Sequence, residues 1–486
     1  MAEADDLPTL DPADWEAFRR DAHAMLDDVI EHCRAVPAGP AWRAMPPEIR
    51  GSFAEPLPAG PSPLAEVHAE FRARILPYGS GNTHPRFLGW VQGGGTPVGM
   101  IAELLAAGMN PNLGGRDHAP IEVERQIVRW MRDLFGFPST ASGVLVTGTS
   151  LANFMAVVIA KTRALGVATR GTGLAGHALR GYTSTAAHSC VLRAFELAGL
   201  GGDALVRLPT GADHRLDPVA LGAAIAADRA RGLQPFMVIA SAGTVDIGAI
   251  DDLTAIAELA RTEQLWFHID GAFGSFAMLA PELRARVAGL ERADSIACDF
   301  HKWLQVPYDA GFLLVRDEAT HAAAFATEPA YLVRGTRGLA ANPPWPTDFG
   351  PDLSRGFRAL KVWFTIKTFG ADQLGRIIAH TCALAQRLAA RITAEPALEL
   401  LAPVALNIVC FRYRDGGDLD ALNQEIVLGL QEDGVAVPST TRIAGVLAIR
   451  VAIINHRCRA PDLELVVEEV LARGRALSRR EPRPRT

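Results

Sequence analysis

The sequence lacks the features on which several classes of protein depend. Its 6 cysteines are scattered among 486 residues and include no Cys-x-x-Cys pair, so we expect neither a disulfide framework nor a metal site, and a cytoplasmic location is favoured. The longest uncharged run, which includes residues 137–160, is long enough to span a membrane, but Pro138, Gly143 and Gly148 interrupt it. This run therefore predicts a buried strand, a turn and a helix rather than a membrane span.

The charge is nearly balanced, and this excludes further functions. Lys and Arg number 48 against 54 Asp and Glu, a formal net charge of −6, so nucleic acid and anionic membranes are not expected as partners. The acidic first residues lack the basic and apolar regions of a secretory signal, and none is expected. A composition of 49% hydrophobic and 21% charged residues is that of a globular protein with a large core.

The order of apolar segments predicts three parts. Residues 1–36 carry an apolar stripe at helical spacing, which needs a partner surface, and a Pro- and Gly-rich stretch follows. Farther on, apolar strands alternate with helices, which indicates a mainly parallel sheet covered on both faces. The last part has the pattern of a smaller α+β unit. We predict an N-terminal segment of residues 1–110, a large domain of residues 111–370 and a small domain of residues 371–486.

The strands can be placed from their short apolar runs. In the large domain they are predicted over residues 143–147, 181–185, 236–241, 266–270, 295–298 and 311–315, and in the small domain over residues 406–413 and 446–454. Ligands of such sheets bind at the carboxyl ends of the strands. Residues directly after these strands are therefore the first candidates for a functional site.

Four such positions carry suitable chemistry, although each has a structural explanation as well. Gly148-Thr149-Ser150 begins a helix, where N–H groups and the helix dipole favour an anion, but a simple helix cap is also possible. His188 can stack on a flat ring, and Asp270 can pair with a metal, a ribose hydroxyl or a protonated ring nitrogen, or cap a turn. Lys302 becomes a nucleophile for Schiff-base chemistry if desolvation lowers its pKa; otherwise it is a surface lysine over an aromatic ring.

Together these residues are the parts that pyridoxal phosphate needs, namely a phosphate anchor, a partner for the ring nitrogen and a lysine. In that combination the chain resembles the group II pyridoxal-phosphate-dependent amino-acid decarboxylases, the family of aromatic amino acid, histidine and glutamate decarboxylases. The resemblance runs from about residue 84 to the last helix. It is carried by His84-Pro85-Arg86-Phe87, Thr147-Gly148-Thr149-Ser150-Leu151-Ala152-Asn153, His188-Ser189, Ser241-Ala242-Gly243-Thr244, His268-Ile269-Asp270-Gly271-Ala272, Asp299-Phe300-His301-Lys302-Trp303 and Asn455-His456-Arg457.

The resemblance implies a fold and roles for these motifs. The fold is the α/β fold type I of pyridoxal phosphate enzymes, similar to aspartate aminotransferase. It has a large, mostly parallel seven-stranded sheet, a smaller C-terminal α+β domain and an N-terminal segment that wraps the partner of a homodimer. Lys302, His188 and Asp270 are the implied catalytic residues: Lys302 binds the cofactor, Asp270 pairs with its ring nitrogen, and His188 and Ala272 cover the ring. Further cofactor contacts are implied for Gly148, Thr149, Ser150, Thr244 and His301.

The implied activity is decarboxylation of an L-amino acid to the amine and carbon dioxide, through an external aldimine and a quinonoid. In the family, the segment after the His-Pro motif lines the side-chain pocket. Here it contains Trp90 and Val91, which suit an aromatic or bulky apolar side chain, and Gln92, which with the following glycines enlarges or polarises the pocket. An aromatic or bulky apolar substrate is therefore favoured. Arg116 and His118 either meet an anionic group or face solvent.

Three positions depart from the family pattern. Leu151 stands where the family usually has Glu, and Asp299 stands where animal aromatic decarboxylases often have Asn. The mobile loop of aromatic decarboxylases carries a catalytic Tyr, but here Tyr331 comes early and residues 334–350 offer Trp345, Asp348 and Phe349 instead. Relatives with Phe in place of that Tyr let oxygen attack the quinonoid and yield an aldehyde. Oxygen-dependent aldehyde formation is therefore an alternative to simple decarboxylation with another proton donor.

Other classes of function fit the sequence less well. Transamination is allowed by the fold, but the resemblance favours decarboxylation. A cysteine desulfurase needs a cysteine on a mobile loop, whereas Cys382 and Cys410 lie in helix-like and strand-like segments. A non-catalytic scaffold is disfavoured because Lys302, Asp270 and His188 are all present.

Overall fold

The computed structural model describes residues 9–174, 176–327 and 334–479. Its helices are α1 (Trp15–Ala35), α2 (Pro47–Ser52), α3 (Leu64–Glu70), α4 (Pro97–Met109), α5 (Ala119–Leu134), α6 (Thr149–Leu165), α7 (Thr169–Thr172), α8 (Ser189–Leu197), α9 (Pro218–Ala230), α10 (Leu253–Thr262), α11 (Glu318–Phe325), α12 (Arg358–Thr393), α13 (Leu419–Glu432) and α14 (Ala460–Ser478). Its strands are β1 (Phe87–Leu88), β2 (Ser142–Val146), β3 (Leu179–Ser184), β4 (Leu205–Leu208), β5 (Gln234–Ser241), β6 (Trp266–Asp270), β7 (Ser295–Asp299), β8 (Gly311–Val315), β9 (Leu398–Leu400), β10 (Ile408–Tyr413), β11 (Val437–Ile443) and β12 (Val446–Ala452).

The large sheet has seven strands in the order β2-β8-β7-β6-β5-β3-β4. Strands β7, β6, β5, β3 and β4 run parallel to one another, and β8 alone pairs antiparallel to its neighbours β2 and β7. The prediction of a mostly parallel seven-stranded sheet is confirmed. The sequence reading missed β4, because a four-residue run that includes Arg207 gives too weak an apolar signal.

Side chains of alternate residues on these strands enter two separate cores. Val238 and Ala240 of β5 pack into one core, and Met237 and Ile239 of the same strand pack into the other. One core lies under α6, which also packs against α8 and α11, while the other contains α12 and α5. Since both faces of the sheet are covered, its strands are apolar throughout, as the sequence indicated.

The small sheet has the order β1-β11-β12-β10-β9. Its edge strand β1 comes from the predicted N-terminal segment and runs parallel to β11. Arg450, on β12, is 3% exposed and donates to the backbone carbonyls of Trp90, Val245 and Asp246. The small sheet is thus joined both to the segment that contains Trp90 and to the loop after β5. The domain boundaries at residues 110 and 370 stay predictions; α12 changes direction at Gly370, whose φ is 69°.

The three N-terminal helices are only partly buried. Helix α1 contains the predicted apolar stripe, but none of the residues in α1, α2 or α3 is buried. Trp15, Phe18 and Ile30 are all exposed. In the described part of the chain, no helix is long and apolar enough to cross a membrane.

Candidate active site

A cavity of about 500 Å³ opens at the carboxyl ends of the parallel strands. The segments after β2, β3, β5, β6 and β7 all contribute to its wall, as expected for an α/β sheet. Twelve residues singled out from the sequence lie on this wall: Trp90, Val91, Gln92, Gly148, Thr149, Ser150, His188, Thr244, Asp270, Ala272, His301 and Lys302. The fold therefore brings together side chains that lie more than 200 positions apart in the chain.

Lys302 lies on the turn after β7, with its side chain 21% exposed towards the cavity. Its Nζ is 2.9 Å from Oδ2 of Asp299. Burial alone would lower the pKa of Lys302, but the carboxylates of Asp299 and Asp270 outweigh burial and raise that pKa above its ordinary value. Desolvation thus acts in the expected direction, but the net pKa of Lys302 is raised because Asp299, which the sequence argument did not include, is its ion-pair partner.

Asp270 ends β6 and is 7% exposed. Its Oδ2 accepts a hydrogen bond of 3.0 Å from Nδ2 of Asn153, and its Oδ1 accepts one of 3.2 Å from the backbone N–H of Ala272. Burial raises the pKa of Asp270, although Lys302, Asn153 and His188 act in the opposite direction. A carboxylate in such a place is stabilised by a further cationic partner.

Helix α6 begins at the cavity, and its first turn supplies donors for an anion. The backbone N–H of Thr149 donates to Oδ1 of Asp299 at 2.7 Å. The hydroxyl oxygen of Thr149 is buried and has no hydrogen-bond partner among the described residues, so it remains available to a ligand. Ser150 lies beside it on the cavity wall, at the positive end of the helix dipole.

Hydrogen bonds show which ring nitrogen is the acceptor in two histidines on the cavity wall. Nδ1 of His188 accepts from the backbone N–H of Cys190 at 3.2 Å, so a neutral His188 ring carries its proton on Nε2. Nδ1 of His301 accepts from the N–H of Ala310 at 3.0 Å, which leaves Nε2 on the side of Asp299, 3.6 Å from Oδ2. Burial lowers the pKa of His301.

Thr244 closes the cavity on the side of β5. It is 2% exposed, and its hydroxyl oxygen accepts from the N–H of Ala249 at 3.0 Å, which fixes the turn on which it lies. That turn is also held by Arg450 through the carbonyls of Val245 and Asp246. Thr244 is thus a rigid part of the wall.

The segment with Trp90, Val91 and Gln92 passes close to the lysine turn. Trp90 is 54% exposed, whereas Val91 is buried. Gly93 follows at a point where a Cβ atom would lie 2.2 Å from the carbonyl oxygen of His301 and 2.5 Å from that of Lys302. Only glycine permits this approach, which sets the pocket segment directly against the lysine turn.

Sequence reasoning missed two residues at the site. Tyr308 lies on the cavity wall, with its ring centroid 4.2 Å from that of His301. Burial raises the pKa of its phenol to about 12. Asn153, the partner of Asp270, stands within a quoted motif, but nothing in its local pattern predicts a contact with a residue 117 positions away. Tyr308 stands six positions after the lysine, and that short separation was the available signal.

Other residues considered from the sequence lie away from the cavity. Trp345, Asp348 and Phe349 are buried in the protein, where Asp348 pairs with Arg334. Arg116 lies over the ring of Trp345 at 5.0 Å, and His118 contacts the carbonyl of Asn112. In this chain the first three residues do not reach the cavity, and their suggestion as substitutes for a loop tyrosine stays a prediction. Tyr331 lies outside the described residues.

The residues present fit pyridoxal phosphate. The cavity volume is in the usual range for ligand sites, and it contains a lysine amine, a buried carboxylate and an unpartnered hydroxyl at a helix N-terminus. Lys302 can bond to the carbonyl, Asp270 can pair with the ring nitrogen, and Thr149 and Ser150 can receive the phosphate. Among the described residues, no three metal-ligating side chains are grouped to hold a metal ion.

Comparisons with known proteins point in the same direction. A family model described as the pyridoxal-dependent decarboxylase conserved domain matches residues 46–414. Aromatic-L-amino-acid decarboxylase from Bacillus atrophaeus is 30% identical over 474 residues, 95% of this chain and 96% of the relative. Phenylacetaldehyde synthase from Arabidopsis thaliana is 27% identical, with 91% and 93% covered. L-2,4-diaminobutyrate decarboxylase from Rhizobium meliloti is 28% identical, with 99% and 96% covered.

Solved structures agree with this result. The structure of Oryza sativa TDC with PLP and tryptamine superposes with a TM-score of 0.88 at 26% sequence identity. The match covers 97% of this chain and 100% of the other.

Proposed function

The chain belongs to the pyridoxal-dependent decarboxylase family as a pyridoxal-phosphate-dependent amino-acid decarboxylase, and we propose that it converts an aromatic or bulky apolar L-amino acid to its amine. The observation that carries this proposal is the position of Trp90 and Val91 on the same cavity wall as Lys302. An indole and an aliphatic side chain offer an apolar surface to a substrate side chain. Bacillus aromatic-L-amino-acid decarboxylase is among the relatives, which supports the same substrate class.

Different residues of the chain have different roles in the proposed reaction. When bound, pyridoxal phosphate supplies a carbonyl that bonds to amines and a ring that accepts electrons from Cα. Asp270 holds positive charge at the ring nitrogen, which makes the ring a better acceptor. His188 lies on the wall beside Asp270, where it can cover one face of the ring, and Ala272 is small enough to let the other face approach the end of β6. Thr149, Ser150 and His301 keep the phosphate end fixed.

Two groups on the wall can return a proton to Cα. Nζ of Lys302 would bond to the cofactor carbonyl, and whenever this amine is free, Asp299 at 2.9 Å favours its protonated form. The phenol of Tyr308, with a pKa of about 12, keeps its proton on Oη at neutral pH. These proton sources favour the amine as product, because a protonated Cα cannot react with oxygen.

The alternative outcome is an aldehyde, formed with oxygen. It is favoured by the absence of a tyrosine from residues 334–350 and by the relative named phenylacetaldehyde synthase. A product assay by mass spectrometry separates the two outcomes, with a panel of L-amino acids, in air and without oxygen. We expect an amine from aromatic substrates in equal yield under both conditions. An aldehyde with peroxide, lost when oxygen is removed, would contradict the simple decarboxylase.

The same panel tests the substrate class. It contains phenylalanine, tyrosine, tryptophan, leucine, glutamate and 2,4-diaminobutyrate, the last because a diaminobutyrate decarboxylase is also a relative. Trp90→Ala should raise KM for aromatic substrates more than for leucine. A preference of the unmodified enzyme for charged substrates would reject the proposed class while leaving the decarboxylase assignment intact.

We also propose that the enzyme works as a cytoplasmic homodimer. The proposal rests on α1 and α3, which have no buried residue and expose apolar side chains such as Trp15, Phe18 and Val67. A second copy of the chain would cover them. The six unpaired cysteines suit a reducing compartment. Light scattering should give twice the mass of 52.0 kDa, and Trp15→Asp with Phe18→Asp should give monomer.

A further inference from the structure

We propose that Asn153 and His268 are positioning residues, which fix the charge of Asp270 through a hydrogen-bond chain that runs in one direction from Trp266. The inference rests on the proposed placement of the cofactor's ring nitrogen at Asp270. It concerns the sheet behind the cavity, where all the members of the chain are buried. None of the four residues Trp266, Ser295, His268 and Asn153 lies on the cavity wall.

The chain consists of four hydrogen bonds between buried side chains. Nε1 of Trp266 donates to Oγ of Ser295 at 2.8 Å, and Oγ of Ser295 is 2.8 Å from Nδ1 of His268. Nε2 of His268 is 2.8 Å from Oδ1 of Asn153, and Nδ2 of Asn153 donates to Oδ2 of Asp270 at 3.0 Å. It joins β6, β7 and α6 beneath the cavity.

The directions follow from the two ends of the chain, where the indole N–H of Trp266 can only donate and an ionised Asp270 can only accept. The Asp270 carboxylate therefore takes the NH₂ group of Asn153, which leaves Oδ1 of Asn153 for His268. Burial lowers the pKa of His268 to about 3, so the ring is neutral near pH 7. Since Oδ1 of Asn153 can only accept, the single proton of the ring lies on Nε2, and Nδ1 accepts the hydroxyl hydrogen of Ser295.

The orientation of the Asn153 amide is thereby fixed. Its oxygen is held by His268, so its NH₂ group must face Asp270. A rotated amide would place its oxygen against the Asp270 carboxylate and its NH₂ against the N–H of His268, and would lose both hydrogen bonds. His268 therefore acts on Asp270 through Asn153, without touching Asp270 or the cavity.

The consequence concerns the protonation of Asp270. Burial raises the pKa of this carboxyl, and the groups that oppose the rise are Lys302, the Asn153 amide, His188 and the Ala272 N–H; the thiol of Cys190 also lies nearby. Nζ of Lys302 is the amine that would bond to the cofactor, whereas the Asn153 donor is held in place by the fold. Asn153 thus keeps Asp270 ionised, and an ionised Asp270 keeps the ring nitrogen protonated.

The test is nitrogen NMR of the holoenzyme, loaded with cofactor that is isotopically labelled at the ring nitrogen. In the unmodified enzyme we expect the resonance of a protonated ring. Asn153→Leu keeps the shape and removes the donor, so the ratio of protonated to unprotonated ring should fall about tenfold, as for the loss of one hydrogen bond to a charge. Ser295→Ala, which removes a single oxygen, should shift the resonance in the same direction. This variant replaces Asn153→Leu in the test if Asn153→Leu does not fold.

His268 offers a matched pair of substitutions. His268→Gln can place an amide N–H near the position of Nε2 and should retain the resonance, whereas His268→Asn is too short to reach Asn153 and should shift it. The control is a second buried Ser–His pair, between β2 and α11: Oγ of Ser142 lies 2.9 Å from Nδ1 of His321, whose Nε2 faces the carbonyl of Phe349. Ser142→Ala should leave the ring-nitrogen resonance unchanged.

The outcomes distinguish a wrong placement of the ring nitrogen from a wrong role for Asn153 and His268. A resonance that is insensitive to Asp270→Asn would reject the placement of the ring nitrogen at Asp270. A resonance that responds to Asp270→Asn but not to Asn153→Leu or Ser295→Ala would overturn the positioning role alone. Equal shifts for His268→Gln and His268→Asn would show that only packing matters at this position.

Discussion

Two buried aspartates end adjacent parallel strands and face the same lysine, yet their environments are opposite. Asp299 ends β7, 2.9 Å from Nζ of Lys302, and also accepts from the N–H of Thr149. Asp270 ends β6 and accepts hydrogen bonds from Asn153 and the Ala272 N–H. Asp299 is 2% exposed and Asp270 is 7% exposed, so burial does not distinguish them.

Their pKa values move in different directions. Burial would raise the pKa of Asp299, but Lys302, His301 and Thr149 outweigh burial, and that pKa lies below its ordinary value. Burial raises the pKa of Asp270, and its neighbours do not compensate in full. Asp299 is therefore satisfied within the chain, whereas Asp270 still lacks a cation. The comparison supports the proposal that Asp270, and not Asp299, is the carboxylate that pairs with a ligand.

Removal of the shared lysine should have the largest effect. Lys302→Ala should reduce turnover to background and abolish covalent attachment of the cofactor, because no other amine lies on the cavity wall among the described residues. Borohydride reduction followed by mass spectrometry checks the attachment. Lys161→Ala, a substitution on α6 that removes a contact with the Ala198 carbonyl, serves as control and should keep the label. A full label on the Lys302 variant would contradict the assignment.

Neutralising each aspartate should separate their roles. Asp270→Asn should lower kcat by about 10²- to 10³-fold, the usual cost of losing a preorganised electrostatic partner of the reaction. Asp299→Asn retains an acceptor for the Thr149 N–H and should cost only about tenfold, with the pKa of Lys302 lowered by about one unit. Steady-state kinetics over a pH series gives both values. Equal losses for the two variants would remove the distinction between them.

The pKa of Tyr308 depends on the charges of Lys302 and Asp299, and Tyr308 should control whether an amine or an aldehyde forms. Lys302 lowers and Asp299 raises the pKa of the phenol, which burial brings to about 12. Tyr308→Phe should reduce amine formation by about 10- to 100-fold, which is at or below the smallest rate contribution usual for a general acid. The same variant should form more peroxide and aldehyde in air. Product analysis with and without oxygen measures the change. An unaltered product ratio would leave Lys302 as the sole proton donor of the pair.

The smallest effect should be on the stability of the cofactor-free protein, and its sign should differ between the aspartates. Asp299 has a folded pKa below its unfolded 3.8, so its stabilising contribution is present above that pH and is lost as pH falls through the folded pKa. Asp270 has a folded pKa above its unfolded 3.8. The folded protein is therefore less stable at a pH above both pKa values, and stability falls as pH rises from 3.8 through the folded pKa. Near pH 7, Asp299→Asn should destabilise and Asp270→Asn should stabilise, each by about 1 kcal/mol. Denaturant unfolding tests the signs.

The sequence predicts strand ends well and side-chain partners poorly. Apolar runs placed β6 and β8 at the residues where the structure has them, and hence placed Asp270 at the edge of the sheet. The hydrogen bond from Asn153 to Asp270 and the stack of Tyr308 on His301 depend on how α6 and the lysine turn pack, which no local pattern encodes. The pKa of Lys302 was misjudged for a related reason: burial was considered without the ion pair with Asp299.

The pairing of β1 with β11 has a consequence for recombination between relatives. The strand that leads into Trp90 is a member of the C-terminal sheet, and Arg450 binds the carbonyl of Trp90 from that same sheet. An exchange of the C-terminal portion alone would therefore bring a foreign sheet against the native pocket segment. Residues 84–96 and the C-terminal sheet should therefore be exchanged together. A chimera that receives both from one relative should have the substrate preference of that relative.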